Sequence, residues 1–258
     1  LDFIDGNAEA IKTINEDISR ATNGKIPTVL ESIDEDTKMI LANAVYFKGL
    51  WKSQFKSVFT KLKKFTTNSK QEVEVEMMFQ SAYFPFAHSK QLNCKAIELG
   101  YEKIMIVLLP DEHNSLKQLK ANLNVKSFNN LWNNLYSQEV MLSLPKFKLE
   151  STLELIPVLA KLGIKDIFDR EVANFSGVTN DPLGLYVGDI IQKAVIEVNE
   201  EGTEAAAATA VETTLCSMLI RSPTPEFTAN RPFMFFLVSK LENKNVILFS
   251  GTVNNPKL

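Results

Sequence analysis

The chain has 258 residues, 45% hydrophobic and 23% charged, with 10 Gly and 10 Pro; this is globular composition and excludes disorder or a collagen-like repeat. A formal net charge of −3 excludes a nucleic-acid or anionic-membrane role carried by charge alone. No apolar run reaches the ~18 residues of a membrane span, and two cysteines, Cys94 and Cys216, are too few for a disulfide framework.

The sequence opens at Leu1-Asp2-Phe3 without an initiator Met or signal-peptide pattern, and reads as the remainder of something longer. Asn7 to Ala21 carries Ala10, Ile11, Ile14 and Ile18 at helical spacing and closes at Asn23-Gly24. Met39 to Phe47 is nearly continuous apolar sequence and predicts a strand buried on both faces. Phe65-Thr66, Val73 to Val75 and Tyr83 to Phe86 read as separate strand pieces. Cys94 to Leu99 and Lys103 to Leu109 read as paired strands, turning at Gly100-Tyr101-Glu102. Leu116 to Trp132 predicts one helix, Glu139 to Leu149 an alternating strand, and Leu153 to Leu162 a helix stopped by Gly163. Leu185 to Asn199 returns to strand character. The end is strand-dense, Phe233 to Leu241 and Val246 to Val253 joined at Asn243-Lys244-Asn245. With no internal repeat and no dividing linker, residues 1–258 read as one mixed α and β domain.

Little in the sequence supports an enzyme. His88 and His113 are the only histidines and neither lies near a nucleophile motif. There is no Gly-rich phosphate loop and no metal-ligand spacing, so neither cofactor nor metal is expected. Cys94 opens an apolar stretch and is read as buried and inert; one bridge to Cys216 stays open as the alternative. Lys61, Lys63 and Lys64 read as a solvated basic face rather than a glycosaminoglycan site. Asn174-Phe175-Ser176 is a glycosylation sequon, used only in a secreted protein.

Residues 200–231 do not fit the pattern around them. The run Glu200-Glu201-Gly202-Thr203-Glu204-Ala205-Ala206-Ala207-Ala208-Thr209-Ala210-Val211-Glu212 favours helix by propensity. Taken at period two, one parity holds Thr203, Ala205, Ala207, Thr209 and Val211, while Glu204 and Glu212 both fall on the other. Such a strand could slide into a sheet with its uncharged face inward, its small side chains needing little repacking. No proline interrupts before Pro223, so every backbone N–H up to Cys216 is free to join a ladder. A helical or flexible surface loop suits the same residues.

Several stretches, in order along the chain, resemble the serpin family. They are Asn43-Ala44-Val45-Tyr46-Phe47-Lys48-Gly49-Leu50-Trp51, Leu108-Leu109-Pro110-Asp111, Leu144-Pro145-Lys146-Phe147, Phe175-Ser176-Gly177 and Lys193-Ala194-Val195. The alanine-rich hinge follows, then Asn230-Arg231-Pro232-Phe233 and Phe249-Ser250-Gly251. The resemblance implies an α+β serpin fold: a large central mixed sheet, further sheets and surrounding helices, the N-terminal helices being absent from this chain. It also implies a mechanism. A protease cuts an exposed loop, forms an acyl-enzyme, and is trapped as the freed loop inserts into the central sheet.

On that resemblance Glu200, Gly202, Thr203 and Ala205, Ala206, Ala207 and Ala208 form the hinge and inserting residues. The usual hinge-to-scissile spacing puts the cut at Cys216-Ser217, with Leu215, Met218 and Arg221 as alternatives. Cys, Leu or Met there implies a target with an apolar primary pocket, elastase-like or chymotrypsin-like, before a trypsin-like one. Where many members carry a histidine in the strand before the hinge, this chain has Gln192, with Asn43 as its expected hydrogen-bonding neighbour; the sheet-opening network is expected to be altered rather than lost. The resemblance implies a secreted monomer apart from the missing segment, an intracellular setting being the alternative. The rival function is a non-inhibitory carrier, storage protein or chaperone whose loop is cut without trapping.

Overall fold

The computed structural model of the chain describes residues 7–34, 37–100, 103–113, 115–179, 184–201, 223–241 and 244–257. In chain order the elements are α1 (Asn7–Ala21), β1 (Ile40–Lys48), β2 (Lys61–Thr66), β3 (Glu72–Ser89), β4 (Cys94–Gly100), β5 (Ile104–Pro110), α2 (Leu116–Asn122) and α3 (Val125–Asn133). They continue with β6 (Tyr136–Pro145), β7 (Phe147–Glu154), α4 (Ile156–Lys161), β8 (Asp189–Val198), β9 (Glu226–Thr228), β10 (Phe233–Leu241) and β11 (Lys244–Val253). The chain divides into two compact units, Leu1–Lys48 with Leu149–Ile196, and Gly49–Lys148 with Glu197–Leu258.

The first unit is built on a three-stranded sheet in the order β1-β8-β7. The apolar stripe of α1 packs on one face of it, Ala10, Ile11 and Ile14 meeting Leu30, Ile33, Ile40 and Ile191. The helix ends as its sequence predicts. Asn23 takes a left-handed φ of 51°, and the Gly24 and Asn23 amides donate back to the Ser19 and Arg20 carbonyls at 2.7 and 3.2 Å, the paired bonds of a Schellman stop. β1 departs from the expectation of burial on both faces. Leu41, Ala42 and Asn43 are exposed and the rest of the strand is half-buried, because among the described residues β1 pairs on one side alone, with β8.

The second unit holds an eight-stranded sheet, ordered β11-β10-β5-β4-β3-β6-β9 with β2 pairing to β3. Its pairs are antiparallel except β6 with β9. The three strand pieces expected between Phe65 and Phe86 resolve into β2 and one 18-residue strand, β3. That length serves three partners in turn: β2 through residues 72–77, β6 through 77–86 and β4 through 86–89. The single helix expected from Leu116 is two, because the backbone extends at Leu123 and Asn124 and each helix starts with its own capping box, at Ser115 and at Asn124. Both lie on a core of Leu92, Cys94, Ala96, Ile106 and Leu108.

The expected strand Glu139 to Leu149 likewise splits, into β6 and β7. The helix expected from Leu153 begins at Ile156, since Leu153 belongs to β7 and the Leu155 amide is drawn to the Ile190 carbonyl at 2.8 Å. Leu241 pairs with Lys244, so Lys244 and Asn245 sit in β11 and not in its turn. At Gly251 a Cβ would stand 2.6 Å from the Phe235 ring, which is why that position in the C-terminal strand is glycine.

Candidate functional site

Residues 202–222 lie outside the described residues, and with them Gly202, Thr203, Ala205 to Ala208, Leu215, Cys216, Ser217, Met218 and Arg221. What the structure describes is how the chain is held on either side of that segment, and both anchors belong to the second unit.

On the upstream side β8 ends at Val198 and three residues follow in a cage of polar contacts. Trp51, 2% exposed and edge-on to Phe55, donates its indole N–H to the Asn199 carbonyl at 2.6 Å. Its backbone N–H donates to the Glu201 carbonyl at 3.2 Å. The Glu201 amide in turn donates to Asn199 Oδ1 at 3.0 Å. Glu200 accepts from the Thr60 hydroxyl at 2.8 Å and faces Lys146 Nζ at 3.3 Å. Lys146 stands equally far, 3.3 Å, from Glu76 on β3. Burial pushes the Glu200 carboxyl up, but the Thr60 hydroxyl, a backbone N–H and Lys146 outweigh it and hold the group below its ordinary value. Burial likewise pulls Lys146 down, and Glu76 and Glu200 together carry it above its ordinary value.

Downstream, the chain returns through β9, parallel to β6 over Met141 to Ser143. The Met141 amide donates to the Pro225 carbonyl at 3.0 Å and the Ala229 amide to the Ser143 carbonyl at 2.9 Å. Phe227 and Ala229 are fully buried. Lys95 Nζ donates to the Glu226 carbonyl at 2.9 Å, and Arg231 Nε to the Pro110 carbonyl at 2.9 Å.

In the first unit, β1 and β8 are neighbours in the sheet. Alternation along the strands puts Asn43 and Gln192 on the face opposite α1. Neither side chain forms a hydrogen bond among the described residues.

Comparison with known proteins adds the decisive observation. Residues 1–256 match the family Serpin, described as serine protease inhibitor. This chain belongs to the serpin family. Leukocyte elastase inhibitors of Xenopus tropicalis and Homo sapiens are 40% and 39% identical to it, over 99% of this chain and 68% and 69% of theirs. Among solved structures, mouse protein-Z dependent protease inhibitor superposes with a TM-score of 0.85 at 29% identity, over 99% of this chain and 65% of that one. Manduca sexta serpin-12 gives 0.84 at 27%, over 99% and 68%. This serpin thus spans about two-thirds of the length of the relatives it matches.

The other sequence expectations divide by burial. Cys94 is fully buried and its thiol is pushed up to about 12, by burial first and then by Asp111, so at neutral pH it is an inert thiol. His88 pairs with Asp111 at 2.8 Å near the surface, and His113 is exposed. Lys61, Lys63 and Lys64 are exposed, Lys64 paired with Glu72 at 2.7 Å and Lys63 over the Phe79 ring. Asn174 is exposed, its Oδ1 accepting from the Ser176 amide. Sequence reasoning marked Glu200 but missed Thr60 and Lys146 as its partners, and Glu76 as the second partner of Lys146. Lys146 stood inside a family stretch, and Thr60 and Glu76 carried no signal.

Proposed function

We propose that this serpin inhibits serine proteases by offering residues 203–217 for cleavage and then laying the freed segment into the sheet as a new strand between β1 and β8. One juxtaposition carries the reading. An alanine-rich, proline-free segment with its charges on one parity follows β8 in the sequence, and β1 is the neighbour of β8 in the sheet. A cut at Cys216-Ser217 puts a small apolar residue in the primary pocket, with Leu215, Met218 and Arg221 as alternatives. The partner is therefore a serine protease with an apolar pocket, elastase-like or chymotrypsin-like. The protein acts as the bait and supplies no catalytic group.

The test is to incubate the protein with elastase, chymotrypsin and trypsin, run denaturing gels, and weigh the released C-terminal peptide. A complex that survives denaturation is expected with elastase or chymotrypsin, and the peptide mass names the cut residue. Clean cleavage without such a complex for every protease would replace this reading with the non-inhibitory one. A secreted setting predicts a glycan on Asn174, seen as a mass increment on its tryptic peptide; an unmodified peptide removes that support for the secreted setting.

A further inference from the structure

We propose that Asn23 is a site of spontaneous deamidation, and that the stop of α1 sets how fast it reacts. Of the asparagines in the chain, Asn23 alone is followed by glycine. The reaction joins the side-chain amide to the next backbone nitrogen, and glycine has no Cβ to shield that nitrogen. Asn23 and Gly24 are both exposed and both left-handed, at φ 51° and 75°. No atom beyond its chain neighbours lies within 4 Å of where a Gly24 Cβ would stand. The Asn23 side chain forms no hydrogen bond among the described residues. The Gly24 nitrogen attacks Asn23 Cγ and the new C–N bond closes a succinimide ring; the Gly24 N–H proton and the Asn23 amide group leave together as ammonia. Water then opens the ring at one carbonyl to give aspartate, or at the other to give isoaspartate, with the main chain running through the side-chain carbonyl.

The fold decides when that nitrogen is available. Successive amides at the end of α1 are all engaged. Asn23 donates to the Arg20 carbonyl at 3.2 Å, Gly24 to Ser19 at 2.7 Å and Lys25 to Thr22 at 3.0 Å. The Ile26 amide donates to the Thr22 hydroxyl at 3.1 Å, and that hydroxyl donates to the Ile18 carbonyl at 2.8 Å. Ring closure expels the proton that Gly24 shares with Ser19, so this bond has to open first and cannot re-form in the succinimide. The fraction of time the stop stands open therefore multiplies the rate. The two products differ in what they do to the stop. Aspartate restores the Gly24 N–H and tolerates a left-handed φ, so the turn closes again. Isoaspartate adds a methylene to the main chain between Thr22 and Gly24, and the two amides no longer reach Arg20 and Ser19 as a pair. Either product adds a carboxylate at the end of α1 where the helix dipole is negative. Isoaspartate also leaves an α-carboxyl exposed in an opened turn, the group that an isoaspartyl carboxyl-methyltransferase takes as substrate.

The experiment incubates the full chain beside a synthetic peptide of residues 18–28 at mildly alkaline pH. Conversion of Asn23 is followed by peptide mass, and isoaspartate by methyl transfer from a purified isoaspartyl methyltransferase. Amide hydrogen exchange at Gly24 is measured on the same chain, and Asn23→Gln supplies the background from other asparagines. Folding is expected to slow conversion about tenfold or more relative to the peptide, and to slow Gly24 exchange by the same factor within about threefold. Thr22→Val keeps the shape but removes the hydroxyl between Ile18 and Ile26, and is expected to raise both rates together, by about threefold. Conversion in the folded chain at the peptide's rate, or conversion unmoved while Gly24 exchange quickens, would overturn control by the stop. No conversion above the Asn23→Gln background, over a time in which the measured exchange factor requires half of the chain to react, would overturn the site itself. Should Thr22→Val fail to fold, the match of the two factors in the unsubstituted chain still decides the proposal.

Discussion

Asn199–Glu201 and Pro225–Arg231 flank the same segment, yet the first is held mainly through side chains of its neighbours and the second mainly through backbone pairing and buried side chains. Upstream, one indole N–H, one backbone N–H, one hydroxyl and one ammonium make the anchor, and Lys146 divides its charge between Glu76 and Glu200. Downstream, β9 is a strand of the larger sheet with Phe227 at 0% exposure. Contacts of the first kind exchange for water at little net cost, whereas removal of the second exposes core. On the cut-and-insert reading this asymmetry is functional: the hinge end has to let go when the loop moves, and the exit end has to stay.

The comparison breaks most visibly at Phe227. Phe227→Ala is expected to cost about 3–5 kcal/mol, measured by denaturant unfolding; a cost no larger than that of the hinge variants would abolish the distinction. Trp51→Phe removes the indole donor of the half-buried Asn199 carbonyl and is expected to cost about 1 kcal/mol, with faster exchange at residues 198–201. Glu200→Gln keeps shape but loses the ion pair with Lys146, and is expected to cost about 1 kcal/mol, less at high salt.

The smallest effect is the pH dependence of the hinge. Glu200 is held below its ordinary 4.5, so its contribution is complete above that value and is lost as pH falls through the depressed one. Lys146 is raised above 10.5; its contribution is complete below 10.5 and is lost as pH rises through the raised value. The hinge anchor is therefore strongest between the two. Glu200→Gln is expected to flatten the acid limb of a stability-against-pH curve, and an unchanged acid limb would assign that slope to other carboxyls.

Local pattern made much of the fold legible. The period of Ala10, Ile11, Ile14 and Ile18 placed α1, and Asn23-Gly24 placed its stop, because a left-handed backbone is a local property of those residues. The long strand β3 was not legible. Gln80, Ser81 and Pro85 interrupt its apolar pattern, and what keeps it extended is pairing with β6, distant in sequence. The split of α2 from α3 was missed for a smaller reason: Asn124 caps as strongly as it continues a helix, and its choice rests on Ser127.

The sequence by itself determined the family, through stretches spread along the chain, and the unusual character of residues 200–216, through composition and parity. Both are one-dimensional properties and need no partner to be seen. Only the tertiary structure decided what holds that segment at its ends: Thr60 and Glu200 are 140 residues apart, Trp51 and Asn199 148. Nothing local in either member of such a pair announces the other. It likewise decided that Asn15 reaches the backbone of Val29 and Leu30, since a hydrogen bond depends on ångström-scale placement that the packing of whole strands and helices sets.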